Sequence, residues 1–178
     1  MRVASDLVVI GAPGAGKSTV GRALAQRLGL PFVDVDERIE AGQGKPVREI
    51  FADSGEARFR ELERSASIAA LSEPGVVALG SGAVAHPGVA DALRRATVVW
   101  LQASVAVAGR RLGLNQAPPG LRVNLRGTLI KFLAERTPVY ESVATVTVDT
   151  DKASVTEVVE RIIATLQERE LKLKEADR

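Results

Sequence analysis

Cysteine is absent from this chain of 178 residues, and aromatic residues make up only 3% of it. The absence of cysteine excludes disulfide bonds, thiolate nucleophiles and cysteine-ligated metal sites. The scarcity of aromatic side chains excludes a surface on which nucleic-acid bases could stack, and the basic residues behind the net charge of +2 are spread along the chain. We therefore expect no nucleic-acid partner, and a core made mainly of Val, Leu, Ile and Ala.

Long apolar runs are also missing. Residues 1–6 do not contain the apolar stretch of a signal peptide, and no segment approaches the length of a transmembrane helix. These features predict a cytoplasmic protein without membrane contact. The length is typical of one domain, so we expect a single domain over residues 1–178. We also expect a monomer.

Residues 11–19, Gly-Ala-Pro-Gly-Ala-Gly-Lys-Ser-Thr, fit the phosphate-loop template G-x-x-x-x-G-K-[ST] at every defined position. The apolar run at residues 7–10 predicts a buried strand before the loop, and apolar residues at helical spacing predict a helix after it. In such a loop the backbone N–H groups and the helix dipole bind phosphate. We therefore expect a bound nucleoside triphosphate, with Lys17 reaching its β- and γ-phosphates and Ser18 binding Mg²⁺. The loop residues predicted to bind ATP are Gly14, Ala15, Gly16, Lys17, Ser18 and Thr19.

Short apolar segments elsewhere in the chain predict further strands. These segments are residues 32–35, 76–79, 98–101 and 144–149. Strands that alternate with helices are typical of an α/β fold, so we expect three α/β/α layers around a five-stranded parallel sheet.

The segments between the strands predict the helices. Residues 36–71 read as helical with interruptions near Gly42, residues 44–46 and residues 54–55. Further helices are predicted over residues 104–112, over residues 125–135 and from residue 155 to residue 166. Residues 113–122 contain two consecutive prolines and predict a mobile lid, and residues 167–178 predict a charged, frayed tail.

Polar residues and glycines follow two of the predicted strands. Asp34 and Asp36 lie at the end of the second strand, and Gly80, Ser81 and Gly82 follow the third. Ligands of parallel sheets bind beyond the carboxyl ends of the strands, so we expect these residues beside the phosphate loop.

Several motifs, in this order and spacing, resemble the shikimate kinase family over nearly the whole chain. The matching stretches are residues 11–19, 32–36 with 39–40, 50–51 with 55–56 and 59–63, 79–84, and 136–140. The resemblance implies a P-loop kinase fold and ATP-dependent phosphorylation of the 3-hydroxyl of shikimate, a step of aromatic amino acid biosynthesis. ATP and Mg²⁺ are the implied cofactors.

The resemblance also implies roles for individual residues. Asp36 would contact the acceptor hydroxyls and accept the proton, and Asp34 would hold hydrated Mg²⁺ together with Ser18. Arg60 and Arg136 would bind the substrate carboxylate. The remaining implied contacts are an apolar wall from Phe51 and Phe59, substrate contacts from Gly80, Ser81 and Gly82, and Arg111 over the nucleotide base. Lys17, Asp36 and Arg136 would be the catalytic residues.

Each of these side chains also has a plainer interpretation. Asp34 or Asp36 would equally suit the cap of a following helix. Arg60 and Arg136 would also suit solvated positions on helices. Arg110 and Arg111 are adjacent and would also suit an exposed pair. By composition alone Phe51 and Phe59 are typical of a core, and His86, the only histidine, is expected to be structural.

Two residues depart from the family pattern at the acceptor site. Ser81 stands where the family has the middle of three glycines, and Pro118 stands where the family has a lid arginine before a proline. Arg122 is a candidate to replace that arginine. Two alternatives therefore stay open: a kinase of the same fold that acts on another small hydroxy acid or polyol, and a nucleotide-binding paralogue with little turnover.

Overall fold

The structure is a computed structural model that describes residues 6–176. Residues 1–5, for which the sequence predicts no apolar leader, and residues 177–178 of the predicted tail lie outside this range. Within it the chain forms five strands, seven α-helices and two 3₁₀ turns. In chain order the α-helices and strands are β1 (Leu7–Gly11), α1 (Lys17–Leu28), β2 (Phe32–Asp34), α2 (Val35–Gln43), α3 (Val47–Leu71), β3 (Val76–Ala78), α4 (Pro87–Leu93), β4 (Val98–Gln102), α5 (Val105–Arg111), α6 (Pro119–Val143), β5 (Val146–Asp149) and α7 (Val155–Ala176).

The strands form one parallel sheet in the order β2-β3-β1-β4-β5. Strand β1 lies at its centre, and its residues are buried throughout. A strand that is covered on both faces is apolar at every position, which is the pattern of residues 7–10. The predicted five-stranded parallel sheet is confirmed.

Helices cover the sheet on both faces. One apolar cluster joins the sheet to α2, α3, α4 and α6, and includes Ile39, Leu71 and Leu93. The other joins it to α1 and α7, and includes Leu24 and Ile162. The two clusters give the three layers that the sequence predicts, and they hold the carboxyl edge of the sheet rigid beneath the site.

Two of the interruptions predicted in the long helical segment are present, at residues 44–46 and at residues 54–55, whereas the one predicted near Gly42 is wrong because Gly42 lies inside α2. Helix α2 ends at Gly44, whose φ of 66° belongs to the left-handed region that favours glycine. Inside α3, Gly55 has φ 79° and ψ 169°, so the helix is kinked there. The kink separates the turn that carries Phe51 from the turns that carry Phe59 and Arg60.

The predicted bounds of the helix that follows the lid segment are wrong. Residues 114–116 form a 3₁₀ turn, and α6 begins at Pro119 and ends at Val143, whereas the sequence predicts a helix only over residues 125–135. Proline is favoured at the first position of a helix because its fixed φ is already helical and its missing N–H needs no partner there. The proline pair therefore starts a helix instead of prolonging a loop.

The predicted frayed tail is also wrong for the residues that are described. Helix α7 continues through Ala176. This end is rich in good helix formers, and Lys174 donates to Glu170 one turn earlier, at 2.7 Å. Helical propensity therefore extends this segment, in which residues 167–172, 174 and 175 are exposed.

Candidate active site

The phosphate loop joins β1 to α1 at the carboxyl edge of the sheet. Gly16 precedes α1 with a φ of 92°, which a side chain would disfavour, and Lys17 is the first residue of the helix. A cavity of about 210 Å³ opens above the loop. It is lined by Gly14, Gly16, Lys17, Ser18, Thr19, Asp34, Asp36 and Leu79. The structure thus brings the predicted phosphate-binding residues and both predicted aspartates to one cavity.

The Lys17 ammonium group is buried within this cavity. Its Nζ donates hydrogen bonds to the Ala12 carbonyl at 3.2 Å and to the Ser81 Oγ at 2.7 Å. Burial lowers the pKa of Lys17 from 10.5 to about 8, although the negative charges of Asp36, Asp34 and Glu63 act in the opposite direction. A bound polyphosphate would favour the charged form and hold the lysine as an ammonium.

Asp34 caps the helix that follows β2. Its Oδ1 accepts a hydrogen bond from the Glu37 backbone N–H at 3.1 Å, and the residue is buried. The capping interpretation is therefore correct for Asp34. The same carboxylate lines the cavity beside Ser18, so capping fixes its orientation toward the phosphate loop.

Asp36 lies in the first turn of α2 and faces the same cavity. Its Oδ1 is buried and has no hydrogen-bond partner among the described residues. Burial raises the pKa of Asp36 from 3.8 to about 6, while the Lys17 ammonium opposes the rise. An unpartnered carboxylate oxygen with a raised pKa is suited to accept a proton from a bound hydroxyl.

The glycines on either side of Ser81 leave room for the charged groups of the site. A Cβ on Gly80 would lie 2.5 Å from Glu63 Oε1 and 2.9 Å from Asp36 Oδ1. A Cβ on Gly82 would overlap the Arg60 guanidinium. A side chain at either position would therefore displace these charged groups.

Arg60 and Glu63 form an ion pair on α3, beside Gly82. Arg60 Nη1 donates to Glu63 Oε2 at 2.7 Å, and the Glu63 carboxylate is almost completely buried. The Arg60 guanidinium also lies 5.9 Å from the centre of the Phe51 ring and 5.6 Å from that of Phe59. These two rings are in contact, with centroids 4.4 Å apart, and Phe59 belongs to the core as composition suggests.

Glu63 lies in the family-like stretch at residues 59–63, for which the resemblance implies a role only at Phe59 and Arg60. His86 Nε2 lies 3.3 Å from the same Oε2 that binds Arg60, so the histidine expected to be structural joins the site through this carboxylate. A signal for Glu63 exists in the sequence. On α3 it shares a buried stripe with Phe59, Ser67 and Leu71, and a buried acid requires a partner.

Arg136 and Tyr140 reach the site from α6. The Arg136 Nε is buried without a hydrogen-bond partner in the described structure, and its guanidinium lies 5.5 Å from the Phe132 ring centre. One turn later the Tyr140 hydroxyl donates to the Ser81 carbonyl at 2.8 Å. Burial raises the pKa of Tyr140, so its hydroxyl stays protonated and keeps this hydrogen bond.

Arg111 lies on the opposite side of the phosphate loop. It donates to the Thr150 hydroxyl at 2.9 Å and carbonyl at 2.8 Å, and to the Gly14 and Ala15 carbonyls at 3.2 and 3.3 Å. Together with loop residues and the start of α7 it lines a second cavity of about 270 Å³. This cavity adjoins the phosphate cavity across Gly14, Gly16 and Thr19, which line both.

Arg122 does not point its guanidinium into either cavity. It donates through Nε and Nη2 to the Ala117 carbonyl, at 3.3 and 3.0 Å, and so braces the start of α6. Pro118 is the exposed residue before the first helical position. Residues 113–122, the predicted lid, thus contain no arginine directed at the phosphate loop.

Among residues 6–176, the side chains by themselves do not form a metal site. No group of three or more His, Asp or Glu side chains in that range is placed to hold a metal ion. Mg²⁺ commonly takes one or two protein oxygens and completes its shell with substrate phosphates and water. Separately, none of the helices in the described part of the chain has both the length and the apolarity to cross a membrane.

The fold and the cavity define a class of enzyme. A phosphate loop on a parallel sheet, with the carboxylates Asp34 and Asp36 lining the same cavity, is the arrangement of a small-molecule kinase of the P-loop type. Within that class, the family profile described as "Shikimate kinase" matches residues 13–167, and the chain belongs to the shikimate kinase family.

Individual relatives agree with this assignment. The shikimate kinase of Thermobifida fusca is 48% identical over 156 residues, which are 87% of this chain and 91% of the relative. That of Salinispora tropica is 53% identical over 145 residues, 81% of this chain and 87% of the relative. A solved structure, shikimate kinase from Acinetobacter baumannii in complex with shikimate, superposes with a TM-score of 0.85 at 31% sequence identity. The match covers 95% of this chain and 96% of the Acinetobacter chain.

Proposed function

We propose that this kinase transfers the γ-phosphoryl group of ATP to the 3-hydroxyl of shikimate, in the biosynthesis of aromatic amino acids. The observation that carries the proposal is Asp36. Its carboxylate has a free buried oxygen and a raised pKa in the cavity that also holds Lys17 and Ser18. Family membership supports shikimate as the acceptor.

ATP would bind across the two adjoining cavities. The predicted loop residues 14–19 would bind its phosphates, with Lys17 neutralising charge on the β- and γ-phosphates. The second cavity, beside Arg111, would take the base. Because phosphoryl transfer passes through a loose transition state, positioning and charge neutralisation by these residues contribute more than any base.

The residues present also fit Mg²⁺. Ser18 and the carboxylate of Asp34 offer oxygen atoms in the same cavity, and Asp34 would act through a bound water. When bound, the cation would neutralise charge on the phosphates. The helix cap at Asp34 keeps its carboxylate aimed at this position.

Arg60 and Arg136 would bind the acid group of the acceptor. A guanidinium suits a carboxylate because its planar fork donates two parallel hydrogen bonds. Glu63 orients the Arg60 guanidinium, and the Arg136 Nε is buried without a hydrogen-bond partner among the described residues. Both features favour binding of an anionic group. Phe51 with Phe59 would form the apolar wall, and Gly80, Ser81 and Gly82 would line the acceptor pocket.

A kinase for another small hydroxy acid or polyol is a second candidate, which Ser81 and Pro118 favour. Coupled measurement of ADP release with shikimate, gluconate, glycerol and no acceptor separates the candidates. We expect release that depends on shikimate. Absence of this release at saturating shikimate would overturn the proposal, and tight ATP binding without any active acceptor would favour a nucleotide-binding paralogue.

We further infer that the chain acts as one domain and as a monomer in the cytoplasm. The length of 178 residues, which is typical of one domain, supports the single domain. Light scattering after size exclusion tests this inference, and a mass of about twice the 18.8 kDa of the chain would contradict it.

A further inference from the structure

Ser81 is the side chain that joins the phosphate loop to the acceptor side of the site. Its Oγ accepts a hydrogen bond from Lys17 Nζ at 2.7 Å across 64 positions of sequence. The other acceptor recorded for this ammonium is the Ala12 carbonyl, at the longer distance of 3.2 Å. Both are neutral oxygens, so among the described residues the ammonium is held in place without a carboxylate in direct contact.

Position 81 is the member of the triplet that has room for a side chain. At Gly80 a Cβ would meet the carboxylates of Glu63 and Asp36, and at Gly82 it would overlap Arg60. At position 81 the side chain instead points toward Lys17. A hydroxyl introduced here therefore reaches the phosphate loop without displacing the charged groups on either side.

The backbone of Ser81 is anchored from behind. The Tyr140 hydroxyl donates to the Ser81 carbonyl at 2.8 Å, and Tyr140 is completely buried against Trp100, with ring centroids 5.8 Å apart. The backbone is anchored, and a single rotatable bond, Cα–Cβ, separates it from the hydroxyl. The Ser81 Oγ therefore has a fixed position. A fixed acceptor can orient a long, flexible lysine.

We propose that Ser81 is a positioning residue for Lys17, whose hydroxyl holds the lysine ammonium on the acceptor side of the phosphate loop, where the γ-phosphoryl group leaves. The proposal rests on the phosphoryl transfer proposed above. It assigns to Ser81 an effect on the transfer step, beyond lining the acceptor pocket.

Kinetics of Ser81→Ala and Ser81→Thr test the proposal. We expect Ser81→Ala to lower kcat about tenfold, with KM for ATP changed by less than about twofold, because the lost contact acts in the transition state. Ser81→Thr keeps the hydroxyl and is expected to recover most of kcat. Ser65→Ala, an exposed serine on α3, is the matched control and should behave as the unaltered chain.

Three kinetic outcomes would overturn the proposal. The first is an unchanged kcat in Ser81→Ala, and the second is a Thr variant as impaired as the Ala variant. The third is a change confined to KM for shikimate, which would make Ser81 a lining residue only. Melting temperatures of the variants identify any that has lost its fold.

A second measurement needs no acceptor and separates this proposal from the proposed function. In ¹⁵N-lysine NMR spectra of the nucleotide-free chain, Lys17→Met assigns the Lys17 ammonium signal. We expect slowed proton exchange at this ammonium in the unaltered chain and in Ser81→Thr, and fast exchange in Ser81→Ala. Equal exchange rates in the unaltered chain and both variants would overturn the positioning role. The expected exchange pattern without turnover of shikimate would overturn only the proposal that shikimate is the acceptor.

Discussion

At the scale of single residues, Lys17 and Asp36 have pKa values shifted toward each other. Burial lowers the pKa of Lys17 to about 8 and raises that of Asp36 to about 6, because a buried charge loses its hydration. The attraction between the two opposes both shifts without cancelling them. A bound polyphosphate would keep Lys17 charged, and the raised pKa of Asp36 suits its carboxylate to accept the proton of the acceptor hydroxyl.

Replacing the lysine tests the phosphate-loop mechanism. We expect Lys17→Met to lower kcat by about 100-fold or more, since it removes a positive charge aimed at the transferred group. Steady-state ADP release measures the effect. Lys172→Met, an exposed lysine on α7, is the control with the same chemical change, and normal turnover by Lys17→Met would contradict the mechanism.

The raised pKa of Asp36 predicts a pH dependence. The carboxylate accepts the proton only when ionised, so we expect kcat/KM for shikimate to fall as the pH decreases through about 6. A ¹³C NMR titration of the free chain should place the Asp36 carboxyl at the same value. The Lys17 charge lowers this pKa, and Lys17→Met is therefore expected to raise it further. A midpoint near the ordinary value of 3.8 would contradict the prediction.

At the scale of elements, helix α6 links the predicted lid segment to the acceptor side. Its first turn lies within residues 113–122, and a later turn carries Tyr140, whose hydroxyl donates to the Ser81 carbonyl. The start of the helix is braced by Arg122 on the Ala117 carbonyl. With Arg122 held there, residues 113–122 offer no other cation for the phosphate or the acceptor.

Restoring a lid arginine is expected to strengthen acceptor binding. Pro118 has φ −51° and ψ 147°, an extended conformation that arginine adopts readily before a proline. We expect Pro118→Arg to lower KM for shikimate by up to about tenfold, the scale of one hydrogen bond to a charged group. Pro118→Ala separates the loss of proline from the gain of the guanidinium. Equal KM values for the Arg and Ala variants would show that the lid needs no arginine.

At the scale of the whole molecule, both apolar clusters pack on one sheet, so no part of the core is independent of the rest. We expect a single cooperative thermal transition. A nonhydrolysable ATP analogue at about 100 times its dissociation constant should raise the melting temperature by about 5–10 °C. Differential scanning calorimetry measures the transition and its melting temperature. The ATP analogue should raise the melting temperature of Lys17→Met by less. Two separate transitions would contradict the single domain.

Local sequence patterns predict most of the fold. The phosphate loop, the five strands and the glycine interruptions at Gly44 and Gly55 each depend on a few neighbouring residues. The errors occur where a pattern has two local meanings. The Pro118-Pro119 pair suits a loop as well as the first turn of a helix, and a charged segment such as the end of α7 suits solvent exposure in either a coil or a helix.

The sequence by itself determined that a triphosphate site lies at the edge of a parallel sheet, because Gly16, Lys17 and Ser18 need only their own loop and helix to bind phosphate. Only the tertiary structure decided which distant groups meet there. His86 contacts the Glu63 carboxylate, and Ser81 accepts a hydrogen bond from Lys17. Both contacts join residues too far apart in the sequence for a local pattern to encode. Packing of α3 and α6 against the sheet brings these groups together, and the chemistry of the site follows from that packing.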